Sequence, residues 1–198
     1  MRKALVAAVL SAATLFSVPA LAADSDSRMA VGGDAMFVLP IGDFSDATGA
    51  QLGVLGRFGY RVIPQLEITG RAGYIYGFSK STEVGPVKSD VGASVIPLWG
   101  GARYFFFEHT PTAGPYAGAE LGFNFINYRA SVSGAGVADV DGDKSYTRFG
   151  FSAFGGYVIS PDLPIDLRGQ FIHYNLIGKG DESAAIGLGI SVGYTYQL

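Results

Sequence analysis

Apolar side chains recur at every second position along the last stretch of the chain, residues 186–198. One face carries Ile186, Leu188, Ile190, Val192, Tyr194, Tyr196 and Leu198, and glycine or polar residues fill the positions between them. Because successive side chains of a strand point to opposite faces, this pattern predicts a strand with one apolar face. Its 13 residues exceed the roughly 9–11 that a tilted strand needs to cross a bilayer. We therefore predict a strand that spans a membrane.

Earlier segments repeat the same two-residue period, at residues 29–38, 51–62, 65–77, 95–107, 116–128, 146–159 and 165–174. With the last stretch they predict an all-β protein, an eight-stranded antiparallel up-and-down transmembrane β-barrel. A soluble β-sandwich would also alternate. That alternative leaves the wholly apolar faces and the aromatic residues near the strand ends unexplained.

The connections between these segments alternate in length. The short ones, 62–64, 108–115 and 160–164, each contain proline, which suits a tight reversal and cannot continue a strand ladder. The long ones are 39–50, 78–93, 130–144 and 178–184. Outer-membrane barrels have short periplasmic turns and longer outside loops. The alternation therefore predicts four outward loops and places both termini in the periplasm.

Charged residues in segments two to eight fall on the face opposite the apolar one. These faces carry Arg57, Glu67, Arg71, Arg103, Glu120, Arg148, Asp166 and Arg168, interleaved with many glycines. The interior of an eight-stranded barrel is just wide enough for side chains to fill it, so we expect these residues in the lumen. Glycine there is expected to make room for the long arginines, and the charges to pair as a network. A charged gate formed by Glu67, Arg71, Arg103 and Glu120 is the alternative to a static plug.

The first 22 residues have the features of a leader. Arg2 and Lys3 precede an apolar run, and Ala20-Leu21-Ala22 forms an A-x-A cleavage site. We predict a cleaved signal peptide at 1–22 and a barrel domain at 23–198. The sequence has no cysteine, which excludes disulfides, thiolate metal sites and cysteine nucleophiles. A net charge of −3 argues against nucleic acid as a partner.

The chain resembles the small eight-stranded outer-membrane barrels of Gram-negative bacteria, the OmpA/OmpX-like β-barrel domain family. The resemblance lies in residues 39–44 (Leu-Pro-Ile-Gly-Asp-Phe), residues 56–61 (Gly-Arg-Phe-Gly-Tyr-Arg), Gly73-Tyr74 and the last strand. It implies that the last strand carries a signal for the outer-membrane assembly machinery. The positions that match the signal are Ile190, Val192, Tyr194 and Tyr196, and Leu198 stands where the family has a terminal Phe or Trp.

Two groups of residues are candidates for chemistry. His173 is similar in placement to the histidine of the His-x-Ser motif of lipid A deacylases, but Asn175 stands where the serine nucleophile is needed. Asp139, Asp141 and Asp143 are spaced closely enough to hold calcium weakly, without the glutamate and spacing of an EF-hand loop. We expect an interfacial histidine, a solvated acidic loop, and neither a catalytic nor a dedicated metal site.

The predicted function is therefore structural. We expect a non-catalytic, monomeric outer-membrane protein with a side-chain-filled lumen and a surface role for its loops. Its partners would be outer-membrane lipid, lipopolysaccharide and the assembly machinery, and no cofactor is expected. One alternative is a narrow channel for ions or very small solutes through the charged lumen. Another is a lipid A-modifying enzyme, against which Asn175 argues.

Overall fold

The computed structural model of the protein describes residues 28–84, 87–107, 113–134, 137–160, 164–177 and 184–198. The predicted leader, residues 1–22, lies outside the described residues, so its cleavage stays a prediction. Within the described ranges the only helix is short, and no helix there is long and apolar enough to cross a membrane.

Strands make up nearly all of the described chain. They are β1 (Met29–Ile41), β2 (Gln51–Ile63), β3 (Leu66–Gly77), β4 (Lys80–Val84), β5 (Val87–Phe105), β6 (Gly114–Gly134), β7 (Val137–Val158), β8 (Ile165–Ile177) and β9 (Ile186–Gln197). The helix α1 (Phe44–Ala47) lies between β1 and β2. Every pair of neighbouring strands is antiparallel.

Eight of these strands close into a ring that leaves β4 outside it. β1 pairs with both β2 and β9, so that Gly32 stands opposite Arg57 on one side and Thr195 on the other. β3 pairs directly with β5, from Leu66 opposite Tyr104 to Tyr76 opposite Ser94. Closure satisfies the backbone of every barrel strand without a free edge, which lipid requires. The predicted eight-stranded antiparallel barrel is confirmed.

Two of the predicted long loops are largely strand. β4 pairs with the first residues of β5, and β6 and β7 continue as a hairpin that reaches Gly134 opposite Val137. The expectation of loops at 78–93 and 130–144 was wrong for most of these residues. Residues 80–83 of β4 and 142–145 of β7 are exposed, and the alternation of apolar and polar residues is lost in this part of the hairpins. The backbone ladder continues all the same. We call this the long-hairpin end, and the opposite one the short-turn end.

The outer wall is apolar in every barrel strand. Ile190, Val192 and Leu98 are 66%, 54% and 54% exposed, and many other large apolar side chains point outward beside them. Soluble monomers rarely expose contiguous apolar surface of this extent. Lipid is the solvent in which such a wall is stable.

Two apolar clusters fill the ends of the interior. The short-turn plug consists of Phe105, Tyr116, Phe154 and Val158. The long-hairpin plug consists of Met36, Val38, Phe44, Leu55, Ile75, Ala93, Val95, Trp99, Ile126, Ile172, Tyr174 and Ala185. The helix α1 contributes Phe44, whose ring centroid lies 5.4 Å from that of Tyr174. The interior is therefore closed by hydrocarbon above and below its polar middle.

Glycines on the inner wall make room for carboxylates. A Cβ atom added at Gly59 would meet the carboxyl group of Glu67, and one at Gly193 would meet that of Asp34. The nearest side chain to such an atom at Gly101 is Glu120. The expectation that these glycines accommodate arginines was wrong. A carboxyl group on a short stem stays beside the wall, whereas an arginine extends across the lumen.

We expect Gly59→Ala to destabilise the barrel, because the added methyl group overlaps the Glu67 carboxyl group. Overpacking of this kind costs about 1–3 kcal/mol. The control is Gly56→Ala in the same strand, since Gly56 faces outward and its nearest neighbour is a backbone oxygen 3.8 Å away. Guanidinium unfolding in detergent micelles, followed by the fluorescence of the single Trp99, measures both. Equal unfolding midpoints for the two variants would contradict this account.

Candidate functional site

The inner wall between the two plugs carries the charges. Of the predicted lumen residues, those buried in this middle layer are Arg57, Glu67, Arg71, Arg103, Glu120, Asp166 and Arg168. They come from strands β2, β3, β5, β6 and β8, and their side chains are at most 3% exposed. Because a two-residue period places alternate residues inside, the strand faces direct these side chains into the lumen, and the pairing register of the strands brings them to one layer.

The first part of the charged layer links β3 to β2 by way of β5 and β8. Arg103 donates a hydrogen bond from Nη2 to Oε2 of Glu67 at 3.1 Å, and its Nε lies at an ion-pair distance of 3.0 Å from Oε1. The Nη1 atom of the same guanidinium lies 3.1 Å from Oδ2 of Asp166. Asp166 also accepts a hydrogen bond from Arg57. Two arginines from different strands therefore share one carboxylate.

The second part continues from Arg57 through Asp34, whose Oδ1 lies 3.5 Å from Nη1 of that guanidinium. Arg71 bridges the next two carboxylates, at 3.0 Å from Nε to Asp34 Oδ2 and 3.2 Å from Nη1 to Glu120 Oε2. Arg168 ends the series, with its Nη2 atom 2.7 Å from Glu120 Oε2. The result is one unbroken series of ion pairs in which positive and negative groups alternate.

Asp34 is the member of this series that sequence reasoning missed. It lies on β1 and is buried, and it supplies the fourth carboxylate against four arginines of the series. Its inward position follows from its spacing with Met36 and Val38, which are also buried. The unequal count of five arginines and three carboxylates among the predicted residues was the signal that a carboxylate remained to be found.

Neutral groups complete the polar layer. Arg57 donates to Thr195 on β9, and Tyr116 donates to Asp166. Arg71 donates to Gln170 at 3.2 Å. Buried charges are costly unless they are both paired and hydrogen-bonded, and these contacts supply part of that hydrogen bonding.

Aromatic rings cover the charged layer at both ends. The Arg168 guanidinium carbon lies 3.4 Å from the centroid of the Phe154 ring in the short-turn plug. That of Arg71 lies 5.6 Å from the Trp99 ring in the long-hairpin plug. Cations attract the faces of aromatic rings, so each plug also holds the charges in place.

Among the contacts between described residues, none joins Arg148 to the series. It is half-buried at the long-hairpin end, where its guanidinium carbon lies 4.8 Å from the Tyr146 ring centroid and its Nη1 donates to the Thr147 carbonyl. The interior opposite it is occupied by Asn124, which accepts a hydrogen bond from Trp99 Nε1 at 2.9 Å. The expectation that Arg148 joins the network was wrong, because that neutral pair fills the lumen at its level.

The barrel mouth near Arg148 forms an open cavity of about 230 Å³. Its lining comes from α1, β6, β7, β8 and the start of β9: Asp43, Phe44, Ala47, Ile126, Tyr128, Tyr146, Arg148, Asn175 and Ala185. Its floor is the long-hairpin plug, which contains Phe44 and Ile126. The long-hairpin plug therefore separates the cavity from the charged layer.

His173 lies on the outer wall of β8. Its ring stacks on Phe151, with centroids 5.8 Å apart and an interplanar angle of 19°. The Oδ1 atom of Asn175 accepts a hydrogen bond from the Ala185 backbone at 2.6 Å, so this amide supports the β8–β9 connection. Histidine and asparagine thus serve packing and backbone contacts at these positions.

The acidic run at 139–143 is part of β7. Asp141 stands opposite Ser131 and Asp143 opposite Arg129 across the hairpin. The expectation of a loop was wrong here, because alternate residues of an extended strand lie about 6.6 Å apart and no tight turn gathers them. Among the described residues there is no cluster of three metal-ligating side chains.

The last strand closes the barrel. Ile190, Val192 and Tyr194 point outward into the lipid-facing wall, while β9 pairs with β8 on one side and β1 on the other. The backbone nitrogen of Leu198 donates to Met29 at 2.9 Å. Recognition of these residues by the assembly machinery stays a prediction.

Comparisons with known proteins agree with this architecture. The family described as "Outer membrane protein beta-barrel domain" matches residues 8–194. The N-terminal β-barrel domain of Pseudomonas aeruginosa OprF is similar with a TM-score of 0.53 and 17% identity, over 86% of this chain and 100% of that one. Ail, the attachment invasion locus protein of Yersinia pestis, gives 0.50 and 15%, over 86% and 97%. At such identities the likeness shows the fold alone.

No curated protein matches the sequence. The family match nevertheless covers nearly the whole chain, and the closed lipid-facing barrel fits it. The chain therefore belongs to the outer membrane protein β-barrel domain family and resides in the outer membrane.

Proposed function

We propose that this protein is a non-catalytic, non-conducting barrel that stabilises the outer membrane and presents its long hairpins for surface interactions. The observation that carries the proposal is the balanced series of ion pairs in the lumen. Four arginines and four carboxylates neutralise one another between two apolar plugs. A water-filled path would need to pass both plugs.

The proposed orientation has the long-hairpin end outside the cell. Its strands carry exposed polar and charged residues, among them Glu83, Lys88 and Lys144. The opposite end has short turns that contain proline. This arrangement is typical of outer-membrane barrels and would leave both termini in the periplasm.

Absence of catalysis is part of the proposal. His173 faces the lipid and stacks on Phe151. A serine-type nucleophile would need an adjacent base oriented by a carboxylate, and the residue two positions on is Asn175. We also propose that the protein is a monomer whose partners are lipid, lipopolysaccharide and the assembly machinery.

A narrow channel is the second candidate. Arg71 already contacts two carboxylates, Asp34 and Glu120, so ion pairs could exchange without new charges entering the lumen. Within the described part of the chain, Nη2 of Arg71 and Nε of Arg168 have no hydrogen-bond partner. An incompletely bonded layer is easier to rearrange than a saturated one.

Conductance in a planar lipid bilayer separates the two candidates. We expect the folded wild-type protein to be silent. Glu120→Ala and Arg103→Ala should be silent as well, because both apolar plugs remain. A difference in gel migration between the unheated and the heated protein verifies folding in each case. Discrete current steps from the wild type, changed in size by either substitution, would overturn the closed barrel and establish the channel.

A double-mutant cycle tests whether the charged layer acts as a unit. Among the arginines of the series, Glu67 contacts only Arg103. The substitution Glu67→Ala therefore leaves the buried Arg103 guanidinium with Asp166 as its one carboxylate partner in the series. Removing one partner of a buried pair costs about 3–5 kcal/mol, and removing both costs less than the sum. We expect this coupling in unfolding free energies measured through Trp99 fluorescence.

The control cycle uses Glu83 and Lys88, which stand opposite each other in the exposed β4–β5 hairpin. Exposed pairs of this kind are worth about 0–1 kcal/mol. Coupling between Glu67 and Arg103 no larger than that between Glu83 and Lys88 would show that the layer does not hold the barrel together.

A further inference from the structure

An exposed arginine lies against the outer wall of the barrel at the long-hairpin end. Arg129 is on β6, and its side chain reaches across β5 to β3. Its Nη2 atom donates to Ser94 Oγ at 3.2 Å and to the Tyr74 hydroxyl oxygen at 3.3 Å. Three neighbouring strands therefore hold one guanidinium in a defined place on the outside of the protein.

An aromatic pair supports this position. The Arg129 guanidinium carbon lies 5.7 Å from the centroid of the Tyr76 ring. Tyr76 in turn packs edge-on against Phe78, with centroids 5.6 Å apart. A cation over a ring face is attracted to it, so the side chain is oriented before any ligand arrives.

The strand registers place this group at the membrane boundary. Ile96 and Phe125 stand opposite each other in the apolar band. Ser94 and Asn127 form the next outward pair, and Arg129 lies one pair further along. Since polar residues replace apolar ones at Ser94 and Asn127, the guanidinium sits where lipid head groups begin.

The hydrogen-bonding capacity of the site is open to an anion. In the described part of the chain no carboxylate lies within ion-pair distance of Arg129, although Asp143 stands opposite it in the register. The two hydrogen bonds of Arg129 use only Nη2, which leaves the Nε and Nη1 donors of the fork. The exposed Tyr74 hydroxyl accepts from Arg129, so its own hydrogen can point to the same ligand, whereas the buried Ser94 hydroxyl holds the guanidinium from beneath.

We propose that Arg129 and Tyr74 form a binding site for the phosphate group of a membrane lipid, with buried Ser94 holding the guanidinium in position. A planar guanidinium fork matches phosphate oxygens, and the Tyr74 hydroxyl completes the contact. The acyl chains of the same lipid would lie along the apolar wall below. Assignment of this lipid to the outer leaflet rests on the orientation proposed above.

Native mass spectrometry of the protein purified in a neutral detergent tests the site. The probe is lipid A carrying two phosphates, and dephosphorylated lipid A is the matched ligand control. We expect the apparent Kd to rise about tenfold in Arg129→Gln, because charge-assisted hydrogen bonds are lost. Tyr74→Phe, which keeps the ring, should weaken binding by a smaller factor. Lys144→Gln removes a nearby exposed charge and should leave binding unchanged.

Competition with phosphatidylglycerol identifies the source of the phosphate. Competition at equal concentration supports a site for any lipid phosphate, and its absence supports one for phosphorylated glycolipid. Equal binding of dephosphorylated lipid A, or wild-type affinity in Arg129→Gln, would overturn the proposal. Detergent presents lipid to both ends of the barrel. The two outcomes that would overturn the proposal therefore cannot arise from a wrong orientation or from a conducting lumen.

Discussion

Neutralisation of buried charge is the constraint on which the rest of this barrel depends. Four arginines are buried in the interior, and each requires a nearby carboxylate. The carboxylates in turn require space beside the wall, which Gly59, Gly101 and Gly193 provide. The inner glycines and the charged residues therefore depend on each other, because the carboxyl groups occupy the space that the glycines leave.

The same constraint specifies how the strands pair. Side chains alternate between lumen and lipid, so a slip of one residue would carry every charge of a strand into hydrocarbon. An apolar interior would tolerate such a slip far better. Buried ion pairs add little net stability compared with well-packed apolar groups. In this barrel their contribution is to make the wrong registers prohibitively costly.

Most of the architecture follows from the two-residue period, because lipid outside and a filled lumen inside impose opposite chemistry on the two faces of a strand. That period did not predict the hairpins, whose exposed strands pair without an alternation of apolar and polar residues. It also missed Asp34, because Gly32 and Gly33 precede this residue in β1 and leave no strong contrast between the two faces there. For Arg148, the two-residue period correctly predicted the inner face of β7 but not the level of the side chain along the barrel axis. Parity places a side chain inside, whereas its level along the barrel depends on neighbours such as Trp99 and Asn124.

The order in which the ion pairs can form has a consequence for assembly. Arg57 and Asp166 are 109 residues apart in the chain, and Arg71 and Glu120 are separated by 49. An arginine of β2 therefore has no Asp166 to bind until β8 has arrived. Insertion of single strands into the bilayer, one after another, would carry uncompensated charges through hydrocarbon. The barrel must instead bring its early and late strands together before, or while, it enters the membrane. Its slow step would then be closure rather than the formation of any one hairpin.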